Sequence, residues 1–378
     1  MEITGIICEY NPLHLGHKKQ LNLIRAEKDT GIVCLMSGNF VQRGEPAIFD
    51  KSLRAKAAVL AGADLVLEMP ITASLFSAEG FAEKSVEILG RFCNYLSFGA
   101  ETPDKAALIR AAEALNHPDF SEKLKEALCT GISFPAARQK VLEDLDVEGS
   151  ILQNPNNILA TEYCKAILKL GCTMEPAPIF RGGDYHAELP DPENPSATSL
   201  RQMLLEGKDI SSYLPTEIGD LFHNAHLHTL SFGERAILSK LRTMTGEEFS
   251  RVPFGSEGLW RKLMHAARSC ATLPELMATV KSKRYTYTRI SRMVMCAFLG
   301  ITEADLAVSA PYVRVLAFNQ KGREILKQAR QTGIFLNAGE KADDPWQELE
   351  YRCGDLYGLF SQEPEAPGAE SRRRVISL

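Results

Sequence analysis

Short, wholly apolar runs alternate with amphipathic ones through the first hundred residues. Ile3–Cys8 is apolar from end to end and has strand length, whereas Lys18–Lys28 carries its apolar residues at helical spacing. The alternation then repeats. Ile32–Met36 predicts a second strand, and Asp50–Ala61 a helix with Asp50 as N-cap and Gly62 closing it. Leu65–Met69 predicts a third strand stopped by Pro70, Ala78–Phe92 a helix, and Tyr95–Phe98 a fourth strand. Strands separated by helices at roughly 30-residue intervals imply βαβ units and a parallel sheet. Ligands of such sheets bind beyond the carboxyl ends of the strands. The turns Asn11–His17, Ser37–Phe40, Pro70–Ser74 and Gly99–Glu101 all fall at that edge.

From Pro103 to Leu145 the pattern is helical, with breaks at His117-Pro118 and Gly131. Asn154–Asn157 opens a periodic helix, Ile158–Leu170. Met174–Phe180 then predicts a last strand, which Pro176 and Pro178 confine to an edge. It ends in Arg181–His186, and a polar loop, Leu189–Pro195, leads to a helix start at Ser196–Arg201. Ile210–Pro215 is expected to be a linker. Beyond it the alternation stops, and helices are expected near Glu217–Ala225, Glu234–Lys240, Gly258–Ala267, Leu273–Val280, Tyr287–Leu299 and Lys321–Thr332. Leu306–Phe318 holds apolar residues that could add a strand. The expected division is an α/β domain over residues 1–208 and a mostly α-helical domain over 209–362. A tail rich in Pro, Glu and Arg, 363–378, is expected to be mobile.

Composition narrows the class. The 378 residues are 45% hydrophobic and 24% charged, which is ample for two cores. A net charge of -5 excludes a globally basic nucleic-acid binder, so any such surface must be local. Nine cysteines without a C-x-x-C pair point to reduced thiols and a cytoplasmic location. Met1–Thr4 lacks the basic flank of a signal peptide, and no uncharged run reaches membrane-spanning length. Nothing demands an obligatory protein partner.

Candidate chemistry centres on the first turn. His14, Gly16 and His17 lie where a strand gives way to a helix. Free backbone N–H groups and the positive helix dipole favour a polyphosphate there. Two imidazoles beside those amides could hold a pentavalent phosphate as charge builds on its oxygens. Helix capping is the plainer alternative. A metal pair is poorer, because no third His or Cys lies nearby, although Glu9 could ligate. Ser199 and Arg201, at a helix start, form a second phosphate candidate against an ordinary N-cap. In the loop Ser37–Pro46, Asn39 and Arg43 could reach a substrate. Asn154–Asn157 with Arg181 offers adenine-reading amides, or simply a helix cap. Lys281, Lys283, Arg284, Arg289 and Arg292 lie in a stretch with no acid and with Tyr285 and Tyr287 interleaved. That is the composition of an RNA contact or of a solvated helix face.

These motifs carry a resemblance. The N-terminal half resembles the H-x-G-H nucleotidyltransferases, a Rossmann-like fold, and Ser196–Arg201 looks like their second phosphate motif. Together, EYNPLHLGH (9–17), SGNFVQRGEPAIFDK (37–51), LSFGAE (96–101), PNNILATEY (155–163) and RYTYTRISR (284–292) resemble the bacterial tRNA(Met) cytidine acetate ligases, over roughly residues 1–320. Ala160 departs from a glycine usual in the family. The resemblance implies ATP, acetate and elongator tRNA(Met) as substrates. Acetate would be activated as acetyl-adenylate, and the acetyl group passed to the exocyclic amine of the wobble cytidine. By motif it also implies an ATP site of Ile7, Cys8, Glu9, Tyr10, Asn11, Pro12, Leu13, Leu15, Gly16, Lys18, Lys19, Gln20, Gly99, Asn156 or Asn157, and Arg181. His14 and His17 would be catalytic, with Ser199 and Arg201 on the outer phosphates. Magnesium is expected on phosphate oxygens and water, without a protein cage. Two rival readings are a small-molecule nucleotidyltransferase and a non-catalytic RNA-binding protein.

Overall fold

The computed structural model describes residues 1–181, 195–337 and 340–378, so Gly182–His186 and most of the Leu189–Pro195 loop lie outside the described residues. Its centre is an eight-stranded sheet. Five parallel strands run in the order β5, β2, β1, β6, β7: β1 is Glu2–Cys8, β2 Thr30–Ser37, β5 Leu65–Met69, β6 Tyr95–Ala100 and β7 Glu175–Phe180. Between β2 and β5 a small antiparallel hairpin, β3 (Phe40–Val41) and β4 (Glu45–Pro46), stands off the sheet. Every residue of β2 and of β5 is buried, which is why both read as unbroken apolar runs. The helices Leu15–Glu27 and Lys51–Leu60, among others, cover the sheet, and β7 is its edge, as its two prolines require.

The second half departs from expectation in three places. Val313–Phe318 is the strand that the apolar stretch Leu306–Phe318 could add, but this β8 pairs antiparallel with β5 of the first half. Phe335–Asn337 (β9) and Ile376–Ser377 (β10) pair parallel with β8. The main sheet therefore crosses the expected 208/209 division, because the open edge of β5 is covered from the far end of the chain. Nor do residues 363–378 form a loose tail. Glu370 is 1% exposed and pairs with Lys51 at 2.7 Å and Arg314 at 2.8 Å, while Arg373 pairs with Asp50 at 2.9 Å. Burial works to raise the Glu370 carboxyl, but Lys51, Arg373 and Arg314 hold it well below the usual carboxylate range. Finally, Glu217–Ala225 is not a helix. A 3-10 turn at Thr216–Ile218 is followed by irregular turns, since Phe222 stacks on Phe49 with ring centroids 4.6 Å apart. The linker Ile210–Pro215 is packed down as well, through buried Ile210 and Leu214.

The remaining helices follow the predicted pattern: Leu230–Thr243, Leu259–Ser269, Leu273–Val280 and Tyr287–Leu299 share a core that also takes in Phe40, Ile71 and Leu75 from the first half. Among the described residues no helix is long and apolar enough to cross a membrane.

Candidate active site

The carboxyl end of β1 leads into a turn whose conformation is closely specified. Tyr10 adopts a positive φ of 45°, and its ring is buried. Asn11 Oδ1 accepts from the Ile48 N–H at 2.7 Å. Arg54, fully buried, donates to the carbonyls of Glu9, Ser37, Gly38 and Phe49, tying the ends of β1 and β2 together. Arg54 was not anticipated. One arginine inside an amphipathic helix carries no local sign that it reaches two strand ends.

His14 caps the helix Leu15–Glu27. Its Nδ1 accepts from the Gly16 N–H at 3.1 Å, and His17 Nδ1 accepts from the His14 N–H at 3.3 Å. This reciprocal bonding is a capping box built from imidazoles. The rings stack with centroids 3.7 Å apart, and Tyr10 meets His17 edge-on at 4.9 Å. Burial, helped by the charges of Arg181 and Arg201, pushes His14 down to about 3; burial, His14 and Arg181 push His17 down too. Both rings are therefore neutral at physiological pH. Because each Nδ1 is an acceptor, each proton sits on Nε2. His14 is 1% exposed, and its Nε2 has no hydrogen-bond partner, a costly state for a buried donor. Capping and ligand binding are thus not alternatives: one nitrogen of each ring caps the helix, and the other remains a donor.

Two arginines close the site. Arg201 donates to the Asn11 carbonyl at 2.9 Å, from the helix Ala197–Leu205 capped by Ser196. Ser199 turns its hydroxyl to Ser196, as an N-cap neighbour does. The Arg181 side chain lies across Gly99, where an added Cβ would come within 2.7 Å of Arg181 Cδ. Gly99 is thus glycine for a close approach.

Other expected ATP-site residues divide. Glu9 accepts from the Gln42 N–H at 3.0 Å. Pro12 and Leu13 are buried within the turn, and Leu15 and Gly16 form the first helical turn. Ile7 and Cys8 end β1, and burial raises the Cys8 thiol. Lys18 is turned away, donating to the Ala61 carbonyl and Glu217; Lys19 is exposed; Gln20 reaches Ser97 at 3.4 Å. Asn157 spends both ends of its amide on Thr102, so it clamps the strand end rather than offering an adenine-reading edge. Asn156 and the Asn157 N–H are bound by Glu101, a carboxylate at a helix N-terminus that sequence reasoning passed over.

The basic run also divides. Lys283 and Arg284 are exposed, with Arg284 paired to Glu257 at 2.8 Å. Lys281, though exposed, folds back on the Ser282 and Tyr285 carbonyls. Arg289 grips the Phe254 carbonyl and Ser256, and Arg292 covers the Phe254 ring and reaches the Gln42 carbonyl. Those two arginines are clamps, not free phosphate ligands. Tyr285 is buried, whereas Tyr287 is exposed. Among the described residues no three His, Cys, Asp or Glu side chains converge to hold a metal.

Stacked neutral imidazoles at a helix start, beyond the carboxyl end of a parallel sheet, are the mark of a nucleotidyltransferase of the H-x-G-H class. Residues 1–371 match the HIGH Nucleotidyl Transferase family. Full-length relatives narrow this. The chain is 38% identical over 352 residues to the tRNA(Met) cytidine acetate ligase of Clostridium novyi, covering 88% of each, and 34% identical to that of Acetivibrio thermocellus, covering 100% of each. Among solved structures, Thermotoga maritima TmcAL in its apo form superposes with a TM-score of 0.91 at 27% identity, and its complex with alpha-thio ATP with 0.88 at 28%, each over 100% of both chains. The chain belongs to the tRNA(Met) cytidine acetate ligase family.

Proposed function

We propose that the protein activates acetate with ATP and transfers the acetyl group to the exocyclic amine of the wobble cytidine of elongator tRNA(Met), giving N-acetylcytidine. The observation that carries the chemistry is the buried, unpartnered Nε2 of His14 stacked on His17 at a helix start, with Arg181 and Arg201 in electrostatic range. Family membership supports the substrates.

In the first step an acetate oxygen attacks the α-phosphorus of ATP, and the bond to pyrophosphate breaks. A carboxylate needs no enzyme nucleophile, so positioning and charge stabilisation dominate. The two Nε2–H groups donate to phosphate oxygens as negative charge builds on them. Arg201 and Arg181 receive the outer phosphates. Magnesium would arrive with the triphosphate, on its oxygens and water. In the second step the cytidine amine attacks the acetyl carbonyl, the carbon–oxygen bond to AMP breaks, and the amine loses its proton. Lys283, Arg284 and exposed Tyr287 are the RNA-facing residues of this reading. Nine free cysteines support work in the cytoplasm.

The test is mass spectrometry of nucleosides from elongator tRNA(Met) incubated with the protein, ATP, magnesium and isotopically labelled acetate. Label in acetylcytidine is expected. ATP cleaved to pyrophosphate with no label in the RNA would overturn the assignment in favour of a small-molecule acceptor.

A further inference from the structure

The loop joining β3 and β4 holds one cation that the site leaves unused. The Gly44 N–H donates to the Val41 carbonyl at 2.9 Å, so Gln42 and Arg43 sit at the centre of a tight turn. Both flanks of Arg43 are anchored. The Gln42 N–H binds Glu9 Oε1 at 3.0 Å, and the Gln42 carbonyl accepts from Arg292 at 3.5 Å. The Gly44 carbonyl accepts from Ser291 Oγ at 3.0 Å. Gly44 has φ of 79°, and a Cβ there would lie 2.5 Å from the Arg292 nitrogen, so backbone packs directly on backbone. Between these anchors Arg43 is exposed, and it makes no hydrogen bond or ion pair among the described residues.

An arginine free on a loose loop is unremarkable. Here the backbone is fixed, and only the side chain is left unpartnered. Its position joins two regions. On one side it is close enough to Arg201 for its charge to act there, alongside Glu9 and Glu45, and Arg201 itself binds the Asn11 carbonyl of the histidine turn. On the other side its loop is bolted to the helix Tyr287–Leu299, which begins just after exposed Lys283 and Arg284. The loop thus links the start of that helix directly to Glu9, at the entry to the histidine turn.

We propose that Arg43 binds a backbone phosphate of the acceptor RNA, beside the nucleotide that enters the acetyl-transfer site. A guanidinium suits this role because it grips a phosphate with two parallel bonds, and presentation from a fixed turn lowers the cost of ordering it. The inference rests on the function proposed above. ATP's phosphates are the other source of the same chemistry, but there His14, His17, Arg181 and Arg201 already converge.

The experiment compares Arg43→Gln, Arg43→Lys and the wild type, with thermal melting as the folding control. It measures the KM for tRNA in acetylation, the KM for ATP in acetate-dependent pyrophosphate exchange without RNA, and the salt dependence of tRNA binding. For Arg43→Gln the KM for tRNA should rise about tenfold and the salt slope should fall by about one, with Arg43→Lys recovering part of both. The KM for ATP should move far less. An equal or larger rise in the KM for ATP would assign Arg43 to the nucleotide and overturn the proposal, as would no change in either KM. If the wild type makes no acetylcytidine, the functional reading itself fails. If it does while Arg43→Gln keeps its KM for tRNA, this inference alone fails.

Discussion

Two groups of buried polar side chains lie at the same edge of the sheet and are built on opposite plans. Beyond β5, Lys51, Arg314 and Arg373 meet Glu68, Glu370 and Asp50 at 2.5–2.9 Å, each cation matched by a carboxylate. Beyond β1, His14 keeps a buried donor without a partner, and among the described residues Arg201 hydrogen-bonds only to a carbonyl and a hydroxyl, not to a carboxylate. The ion cluster spends its charges on one another, with Arg373 Nε left as a lone unbonded donor. It closes the fold by tying the end of the chain to the start of the helix Lys51–Leu60. The histidine site holds neutral donors in place and leaves them unsatisfied, as a site complementary to developing phosphate charge should. Neutral imidazole donors outside any ion pair, rather than charges neutralised by one another, distinguish the catalytic edge from the structural one.

The largest effect expected on this contrast is at the histidine site. His14→Ala should lower acetate-dependent pyrophosphate exchange by about 10²–10³-fold, while a gel shift with elongator tRNA(Met) stays as in the wild type. Loss of RNA binding alone would erase the proposed division of labour. In the ion cluster, Glu370→Ala leaves Lys51, Arg314 and Arg373 short of a counter-ion. It should cost about 3–5 kcal/mol in urea unfolding; a loss near zero would mean the cluster relaxes freely.

Stability should also report the cluster through pH. Burial pushes the Glu350 carboxyl from 4.5 up to about 7, with Arg314 opposing and Glu68 adding to the rise. An acid whose folded pKa is raised favours the fold below its unfolded value and loses that contribution as pH climbs to 7. Glu370, held low, loses its contribution as pH falls below 4.5. Unfolding curves of Glu350→Gln against the wild type should therefore diverge between pH 4.5 and 7, the variant gaining relative to the wild type as pH rises. Parallel curves would show that Glu350 does not titrate there.

Smaller effects sharpen the edges of the comparison. Gly99→Ala should push the Arg181 side chain aside and raise the KM for ATP about fivefold; an unchanged KM would remove Arg181 from the phosphates. Replacing Lys283 and Arg284 together by alanine should weaken tRNA binding and lower its salt slope by about two, with the KM for ATP in RNA-free exchange unmoved.

Much of the sheet was legible because parallel strands are buried on both faces and read as apolar runs, and the histidine turn was legible because it falls between such a strand and a helix. What stayed hidden depends on distant parts of the chain. No local pattern says that Val313–Phe318 will cover the edge of β5, or that Glu370 and Arg373, in a stretch composed like a loose tail, will meet Lys51 and Asp50. Composition marked Arg289 and Arg292 as RNA contacts, but their i, i+3 spacing puts them on one helix face, turned to Phe254 and Gln42. Helical phase was the unused signal there. For Asn157 none existed, because only the fold reveals that Thr102 occupies its amide.

The central claim is that the donors of His14 and His17 serve attack by acetate on the α-phosphorus. Acetate labelled with oxygen-18 in both carboxyl positions, turned over with ATP and elongator tRNA(Met), tests it most directly. One labelled oxygen in the AMP released is the predicted result. Label in orthophosphate, with ADP as the nucleotide product, would place the attack on the γ-phosphorus and contradict the account.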